Sequence, residues 1–508
     1  MHLNQSLTPI MVLGTSSGSG KSLIATAICR VLSRKGEITI PFKGQNMSNN
    51  AWVDIAGGEM AYSQAVQAWS AGLEPSVSMN PVLLKPKGDC SSEVIHLGKS
   101  VGMSEAKNYY QEWTDSGWAV IKNSINHLNQ LHKGGRLIIE GAGSPVEVNL
   151  SHKDITNLKV AKHLEANCLL VADIERGGVF AQIIGTLELL QESERKLIKG
   201  ILINRFRGDI SLFEEGKTWI ENKTGIRVIG VMPWLQELYP AEDSMDLIER
   251  KPKGTRAEIK IGVLKLRYIS NFSDLDAIEA EKSVQLQWIE PGELISSIDV
   301  LIIPGSKQTI KDLELIKTTM TDKSISNYVR RGGNILGICG GMQMLGESLE
   351  DPYCLEGNKQ SNNSIVTKGL SLLPIKTIFL EHKITKKSKV SAIWPTRTEI
   401  EGYQLRRGKS IAVEHLKEKL ISMTEESNIG WVYENSFGGQ IIGTYLHGIF
   451  DNGKWRRTWL NKVREKKGLT PLITEIKNHS HMREIILNKL ADSFERHINL
   501  APLINNES

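Results

Sequence analysis

The sequence predicts two consecutive α/β domains, each built around a mainly parallel β-sheet. Short apolar runs alternate with longer amphipathic stretches over roughly the first 250 residues, as in a parallel sheet covered by helices. A charged segment containing Pro and Gly then interrupts the apolar spacing, and the same alternation starts again after it. A length of 508 residues is also too great for one ordinary hydrophobic core.

The first domain is expected to cover residues 1–249 and a linker residues 250–258. The linker carries charge, Pro and Gly without apolar periodicity, which is typical of an interdomain connection. The strands predicted for the first domain are the buried apolar runs Ile10–Leu13, Leu137–Ile139, Cys168–Ala172, Gly200–Ile203 and Val228–Val231.

The second domain is expected to cover residues 259–455, followed by a charged, helix-like tail at 456–508. Its predicted strands are again short apolar runs separated by amphipathic segments. They are Ile259–Leu264, Asp299–Ile303, Asn334–Ile338 and Gln440–Gly443.

The overall composition excludes several classes of protein. The net charge of +5 is small and the basic residues are scattered, which argues against a nucleic-acid partner. The five cysteines form no CxxC pair, so we expect neither a disulfide framework nor a zinc site. The same cysteine usage indicates a reducing compartment. Because we see neither a signal peptide nor an apolar run of about 20 residues, we expect a cytoplasmic protein without membrane contact.

A glycine-rich loop at positions 14–22, GTSSGSGKS, lies between a predicted strand and a predicted helix. Its glycines allow backbone N–H groups to converge on phosphates, and the helix N-terminus adds a favourable dipole. We therefore predict an ATP site that uses Gly14, Thr15, Gly20, Lys21 and Ser22, with Ser22 also a ligand of Mg²⁺. Gly14 is one residue early for the strict pattern, and Thr15 stands where Gly is usual. The alternative is a Gly/Ser-rich turn with a chance lysine.

Three charged residues follow or end predicted strands of the first domain. Lys43 follows the apolar stretch Ile38–Phe42, while Glu140 and Asp173 each end a buried strand. Open α/β sheets bind ligands at the carboxyl ends of their strands. We predict that Lys43 and Asp173 bind the nucleotide and that Glu140 binds Mg²⁺, although each residue alone suits a capping or solvated role.

The segment Gly337-Ile-Cys339-Gly-Gly341 has the form of a nucleophile elbow, since small residues flank a cysteine between a strand and a helix. The helix N-terminus is expected to favour the thiolate of Cys339. The alternative is an inert buried cysteine. The cysteines at 29, 90, 168 and 354 lack such surroundings and are expected to be structural.

A thiolate that attacks an amide needs a proton-transferring partner, and His447 follows a strand about a hundred residues downstream. Asp451 and Glu401 are both candidates to orient this histidine, and the spacing does not decide between them. Backbone N–H groups of the 304–306 turn and of Gly340 are expected to stabilise an oxyanion. An ATP site and a thiol nucleophile in one chain together indicate a glutamine-dependent, amide-forming ligase.

The chain also resembles the cobyric acid synthases, glutamine-dependent amidases of the cobalamin pathway, over essentially its whole length. The resemblance rests on specific segments in the same order. They are Pro41–Ser48, Met79–Pro86, Ile139–Pro145, Ala172–Phe180, Asn204–Asp209, Ile269–Phe272 and Pro304–Lys307.

The resemblance implies an N-terminal half like dethiobiotin synthetase and a C-terminal half like a class I glutamine amidotransferase that lacks the usual third acid. It further implies that ATP, Mg²⁺ and glutamine serve to amidate four peripheral carboxylates of adenosyl-cobyrinic acid a,c-diamide, giving adenosyl-cobyric acid. In that reaction an acyl phosphate would form at one site. At the other site Cys339, with His447 as its partner, would release ammonia through a glutamyl thioester. Glutamine and a corrinoid are the implied partners, and the oligomeric state is left open.

Four positions depart from the family pattern. Ala56 stands where Asp is usual, which puts one Mg²⁺ or phosphate contact in doubt, and Glu93 replaces a usual Gln. Gln404 and Arg406 replace a usual Glu and His, so the glutamine-binding or interdomain role of that stretch is open.

Two other functions remain as alternatives. One is a sibling ligase, such as cobyrinic acid a,c-diamide synthase or another amidotransferase-coupled enzyme. The other is a non-catalytic P-loop ATPase switch in which Cys339 is a relic.

Overall fold

The computed structural model describes residues 7–88, 90–149, 153–235, 257–356 and 365–505. The chain divides into two compact units that do not follow it linearly. The first unit contains residues 1–48, 58–242 and 483–508, and the second contains 49–57 and 243–482.

The described strands, in chain order, are β1 (Ile10–Gly14), β2 (Thr39–Phe42), β3 (Gln45–Met47), β4 (Ala51–Val53), β5 (Glu59–Ala61), β6 (Val82–Pro86), β7 (Ser91–His96), β8 (Lys99–Glu105), β9 (Arg136–Glu140), β10 (Asn167–Asp173), β11 (Ile198–Phe206), β12 (Val228–Pro233), β13 (Ile259–Leu264), β14 (Ile269–Ser270), β15 (Val284–Ile289), β16 (Val300–Ile303), β17 (Gly305–Ser306), β18 (Asn334–Ile338), β19 (Ser348–Asp351), β20 (Ile365–Lys368), β21 (Ile375–Ala392), β22 (Thr398–Ala412), β23 (Leu420–Ser422), β24 (Gly430–Glu434) and β25 (Gln440–Thr444).

The described α-helices are α1 (Lys21–Arg34), α2 (Tyr62–Ser70), α3 (Ala106–Glu112), α4 (Thr114–Leu131), α5 (Leu158–Leu164), α6 (Val179–Leu189), α7 (Glu192–Arg195), α8 (Glu214–Thr224), α9 (Asp276–Glu279), α10 (Thr309–Thr318), α11 (Thr321–Arg330), α12 (Gly340–Leu345), α13 (Gly453–Lys466), α14 (His479–His497) and α15 (Ala501–Ile504). In the part of the chain that the structure describes, no helix combines the length and the apolar character that a membrane span requires.

The first unit is built on a six-stranded parallel sheet in the order β12-β11-β10-β1-β9-β2. Its strands are almost continuously apolar because helices cover both faces of such a sheet. Helix α1 packs its Ile, Ala and Leu side chains against β1 and β9 in one buried cluster, which Phe494 and its neighbours in α14 join. The carboxyl ends of four adjacent strands, β10, β1, β9 and β2, therefore lie side by side.

The second unit is built on a seven-stranded sheet in the order β15-β13-β16-β18-β25-β24-β23. The first five strands are parallel, and β24 and β23 continue the sheet antiparallel. A second sheet contains β19 and β20 with the long hairpin of β21 and β22. The strands that precede Cys339 and His447, β18 and β25, are direct neighbours.

The observed sheets confirm the predicted α/β class and every strand named from the sequence. The compact units differ from the predicted linear division at two places, because residues 49–57 belong to the second unit and 483–508 to the first. The domain limits at 249 and 259 remain predictions, and most of the expected linker, residues 250–256, lies outside the described residues.

Candidate functional site

The glycine-rich loop connects β1 to α1, as the sequence predicts. Gly20 adopts φ = 93° immediately before α1, in the left-handed region that favours glycine. A Cβ atom at this position would lie 2.2 Å from the side-chain nitrogen of Asn204, which itself donates a hydrogen bond to the carbonyl of Ser19. Glycine is therefore required here by both its backbone conformation and its close neighbour.

Of the other predicted residues of the loop, Gly14 ends β1 and Thr15 follows it, while Lys21 and Ser22 are the buried first residues of α1. The Lys21 ammonium donates to the carbonyl of Ser16 at 3.0 Å, so this cation sits inside the curve of its own loop. Thr15 Oγ1 donates to Gln182 Oε1 at 3.0 Å. The hydroxyl of Ser22 donates to Glu140 Oε1 at 2.7 Å.

Glu140 is fully buried at the end of β9, where its carboxylate accepts hydrogen bonds from four side chains. The donors are Ser22 at 2.7 Å, Lys43 at 2.5 Å, Gln67 at 2.5 Å and Gln64 at 3.2 Å. Burial by itself raises the pKa of Glu140, but the adjacent Lys43 charge and the hydrogen bonds outweigh it and hold the pKa below its ordinary value. The structure thus brings Lys21, Ser22, Lys43 and Glu140 together as predicted neighbours.

The side-chain oxygens of Ser22 and Glu140 are suitable ligands for a magnesium ion. Among the residues that the structure describes, no three His, Cys, Asp or Glu side chains cluster in the manner of an all-protein metal site. Magnesium usually binds one or two protein oxygens and completes its shell with phosphates and water. Ser22 and Glu140, which lie in hydrogen-bonding contact, supply such a pair.

Asp173 ends β10, next to β1, but its carboxylate already has partners. Oδ2 accepts from Arg205 at 2.9 Å and Oδ1 accepts from the backbone N–H of Glu175 at 2.8 Å. The structure therefore gives Asp173 a visible role in holding the 173–175 turn. Nucleotide binding by Asp173 stays a prediction.

Cys339 lies at the sharp turn between β18 and α12. Its backbone adopts φ = 50° and ψ = −105°, a strained conformation for a residue with a side chain. A Cβ at Gly341 would lie 2.0 Å from the carbonyl oxygen of Ile303, and one at Gly337 2.6 Å from the amide nitrogen of Met342. The two glycines therefore allow the turn to form against the neighbouring strand, as in the predicted nucleophile elbow.

His447 follows β25, the direct neighbour of the strand that ends just before Cys339, so both residues lie at the same edge of the sheet. His447 Nδ1 lies 2.8 Å from Asp274 Oδ2, and Asp274 Oδ1 accepts from the backbone N–H of Gly448 at 2.7 Å. Burial disfavours the charged imidazole, but the Asp274 charge and hydrogen bond, together with Cys339, raise the pKa of His447 to about 10. This arrangement favours the imidazolium form of His447 in a buried site.

Asp274 occupies the orienting position for which the sequence suggested Asp451 or Glu401. Glu401 is instead 68% exposed in its side chain and pairs with Lys389, and Asp451 follows His447 in a 3₁₀ turn. The resemblance also implied that the usual third acid of the class is lacking. Asp274 was missed because it precedes His447 by 173 positions and lies two residues beyond the matching segment Ile269–Phe272.

The turn that was expected to contribute to an oxyanion site lies close to His447 and to Gly340, the residue that follows Cys339. A Cβ at Gly305 would be 3.5 Å from His447 Cε1, and one at Gly340 would be 2.9 Å from the amide nitrogen of Ser306. The role of these N–H groups in catalysis stays a prediction.

The positions that depart from the family pattern fall in different surroundings. Gln404 is buried and accepts from Arg406 Nε at 3.2 Å, while the Arg406 guanidinium lies 4.0 Å from the ring centroid of Tyr445. Between them in sequence, the carbonyl oxygen of Leu405 lies 3.5 Å from Cys339 Sγ. Both substitutions therefore lie on the strand that covers the thiol.

The other two departures lie outside that strand. Ala56 is exposed, and its backbone N–H donates to the Asp54 carboxylate at 3.0 Å. Glu93 is buried on β7, where it faces Lys85 across the strand pair β6–β7.

Two family models match the chain, one in each half. Residues 10–248 match the family described as a CobQ/CobB/MinD/ParA nucleotide binding domain, and residues 260–455 match the CobB/CobQ-like glutamine amidotransferase domain.

Relatives match over nearly the full chain. A cobyric acid synthase of Prochlorococcus marinus (strain NATL2A) is 59% identical over 504 residues, which are 99% of this chain and 100% of the relative. One from Synechococcus sp. (strain CC9605) is 55% identical over 496 residues, 98% of each chain. This chain therefore belongs to the cobyric acid synthase family.

Proposed function

We propose that this protein uses ATP and glutamine to amidate four peripheral carboxylates of adenosyl-cobyrinic acid a,c-diamide, giving adenosyl-cobyric acid. The observation that carries the proposal is the placement of Cys339 and of an imidazole that Asp274 orients at the ends of two paired strands, in a chain whose other unit holds a glycine-rich loop between a strand and a helix. The name that the relatives carry supports the substrate class.

The second unit supplies ammonia. The thiolate of Cys339 attacks the side-chain amide carbon of glutamine, and the imidazolium of His447 gives its proton to the departing nitrogen. Ammonia leaves and a glutamyl thioester remains on Cys339. Neutral His447 then takes a proton from water, which attacks the thioester, releases glutamate and regenerates the thiol. Asp274 stabilises the charged imidazole and fixes its orientation throughout.

The first unit activates the acceptor. A carboxylate is a poor electrophile, so its oxygen attacks the γ-phosphorus of ATP, and ADP leaves as an acyl phosphate forms. Lys21 and the loop N–H groups stabilise the charge that builds on the phosphate oxygens. Ser22 and Glu140 would hold the magnesium ion, which neutralises phosphate charge when it is bound. Ammonia then attacks the acyl carbon, phosphate leaves, and each amide has required one ATP and one glutamine.

The sibling activity, amidation of the a and c groups of cobyrinic acid, is tested directly by mass spectrometry. The purified protein is incubated with adenosyl-cobyrinic acid a,c-diamide, ATP, Mg²⁺ and glutamine. We expect the product to gain four amide increments. An unmodified a,c-diamide beside an amidated cobyrinic acid in a parallel reaction would reject the substrate proposed here.

The non-catalytic switch is tested by Cys339→Ala. Because only the second unit uses the thiol, we expect this variant to stop releasing glutamate from glutamine and to retain amidation with ammonium chloride. If the protein is a non-catalytic switch, the wild-type protein releases no glutamate, and the substitution changes nothing.

A further inference from the structure

A short segment, residues 49–53, contacts the surroundings of His447 although its neighbours in sequence do not belong to the same unit. The chain runs from Ser48 in the first unit through residues 49–57 in the second and back to Gly58 in the first. Strand β4 lies within this segment and packs its Ala51 and Val53 side chains with Tyr403 and Leu405 of β22. The glutaminase unit is thus completed by residues that precede the rest of it by about two hundred positions.

The segment holds the turn that carries Asp274. The Asn50 side-chain oxygen accepts from both the hydroxyl of Ser273, at 3.0 Å, and its backbone N–H, at 3.3 Å. The carbonyl of Asn49 accepts from the backbone N–H of Asn271 at 3.1 Å. Asn271 has a positive φ of 52°, so this turn depends on its neighbours to keep an uncommon backbone conformation.

The segment also holds Tyr403, which stacks on the catalytic imidazole. The rings of Tyr403 and His447 have centroids 5.2 Å apart and an angle of 20° between their planes. The Tyr403 hydroxyl donates to the carbonyl of Ala51 at 2.8 Å and accepts from the Asn271 side chain at 2.9 Å. Tyr403 and His447 also exchange two backbone hydrogen bonds, at 2.9 and 3.1 Å.

We infer that residues 49–53 are a positioning element of the glutaminase centre, which fixes His447 through the Asp274 turn on one side and through the Tyr403 ring on the other. Asn50, Asn271 and Tyr403 are each almost completely buried, so water does not replace their lost hydrogen bonds easily. A small displacement of Asp274 or of the stacked ring alters the direction of the imidazole toward Cys339, and catalysis is sensitive to such shifts.

This inference deepens the proposed function, because it assumes that the second unit hydrolyses glutamine. It assigns a role in that reaction to residues outside the segment 260–455 that matches the amidotransferase family. A merely structural role would predict a loss of stability without a specific change in the turnover of folded enzyme.

The test compares Asn50→Ala with Asn461→Ala in the full-length protein. Asn461 is a matched control, because it is a buried asparagine of the same unit whose side chain, among the residues that the structure describes, bonds the Leu472 backbone alone, at 2.7 and 2.8 Å. The readouts are kcat and KM for glutamine hydrolysis, the pH profile of kcat/KM, and amidation supported by ammonium chloride. All are measured well below the unfolding temperature of each variant.

We expect Asn50→Ala to lower kcat about tenfold or more with KM for glutamine within about twofold, because misplaced imidazole reduces reaction rather than binding. The groups that face His447 are Asp274, Cys339 and Tyr403. Because Asp274 would be less well placed in this variant, the alkaline limb of the kcat/KM profile should move to lower pH. Amidation with ammonium chloride should stay at the level of Asn461→Ala. Ser273→Ala should give a smaller loss that is not additive with Asn50→Ala.

Equal kcat values and pH profiles for Asn50→Ala and Asn461→Ala would overturn the inference while leaving the proposed function intact. A wild-type protein that releases no glutamate would instead reject the proposed function. Where Asn50→Ala does not fold, Tyr403→Phe decides, because it removes only the hydroxyl bridge and keeps the ring. The inference requires a reduced kcat in this variant, and an unchanged kcat contradicts it.

Discussion

The two candidate sites of this chain are assembled in different ways. The phosphate-binding site uses residues at or just after the ends of adjacent parallel strands, and Glu140 and Lys43 meet because β9 and β2 are neighbours. The thiol site also begins at neighbouring strands, which carry Cys339 and His447. Its third member, Asp274, comes from a turn after the two-residue strand β14, and residues 49–53 hold that turn. Strand order explains the meeting of Glu140 and Lys43 in the first site, but it does not explain the position of Asp274 in the second.

The sites also stabilise opposite charges. Glu140 is a buried anion whose pKa is held below its ordinary value, against its burial, by the Lys43 cation and by hydrogen bonds. His447 is a buried cation whose pKa is raised to about 10, also against its burial, by the Asp274 anion and by Cys339. In each site the burial that disfavours a charge is offset chiefly by one oppositely charged partner, Lys43 for Glu140 and Asp274 for His447. Substitutions in one site should therefore change the reaction of that site alone, and the following variants test this.

Asp274→Asn is expected to give the largest effect. An amide cannot stabilise the imidazolium, so kcat for glutamine hydrolysis should fall about 10²- to 10⁴-fold, as for the orienting acid of a nucleophile–histidine–acid triad. Glu401→Gln is the control, because Glu401 is the exposed alternative from the sequence. Release of glutamate from glutamine measures the activity of the second unit, and amidation with ammonium chloride measures that of the first. Equal rates for these two variants would remove Asp274 from the site.

Lys21→Ala tests the other site. Loss of the cation in the loop should lower amidation about 10²- to 10³-fold with either glutamine or ammonium chloride as the nitrogen source, because both require the same acyl phosphate. This pattern differs from that of Cys339→Ala, which should spare the ammonium-supported reaction. Product formation is followed by mass spectrometry. If Lys21→Ala lost only glutamine-supported amidation, the assignment of the two sites would be wrong.

Much of both sites could be predicted from the sequence because local patterns determine it. The loop around Lys21 and the elbow around Cys339 each require glycines at fixed spacing between a strand and a helix, and the structure shows the crowding that explains those glycines. Apolar runs likewise identified the central strands of both sheets.

The remainder depends on contacts between residues far apart in sequence. No local pattern pairs Asp274 with His447 or Asn50 with Ser273, since those pairs are 173 and 223 positions apart. The hairpin of β21 and β22 was also not predicted, although it carries Tyr403, Leu405 and Arg406. Its strands alternate between buried and exposed positions and carry many charged residues, so they do not stand out as apolar runs.

Arg406→Gln is expected to have a moderate effect. The guanidinium lies over the ring of Tyr445, and the preceding residue on the same strand, Leu405, contacts Cys339 through its carbonyl. We expect this cation to bind the α-carboxylate of glutamine. Loss of one charged hydrogen bond should raise KM for glutamine about tenfold with little change in kcat. Arg407→Gln is a matched control, because the Arg407 side chain is next in sequence but donates to the carbonyl of Glu381 at 2.6 Å. Equal KM values for both variants would contradict a role for Arg406 in binding.

The pH dependence of stability should show the smallest difference. His447 has a folded-state pKa of about 10, above its ordinary value of 6.5. A raised pKa means that the folded state binds the proton more tightly, so the stabilisation is complete below about pH 6.5 and is lost as the pH rises through about 10. Thermal unfolding of the second unit should therefore weaken across this range more steeply in wild type than in Asp274→Asn, where the imidazolium lacks its carboxylate. Other titrating groups are common to both proteins, so the difference between the two slopes reports on His447. Parallel slopes would mean that His447 is neutral in the folded protein and that Cys339 lacks an imidazolium partner.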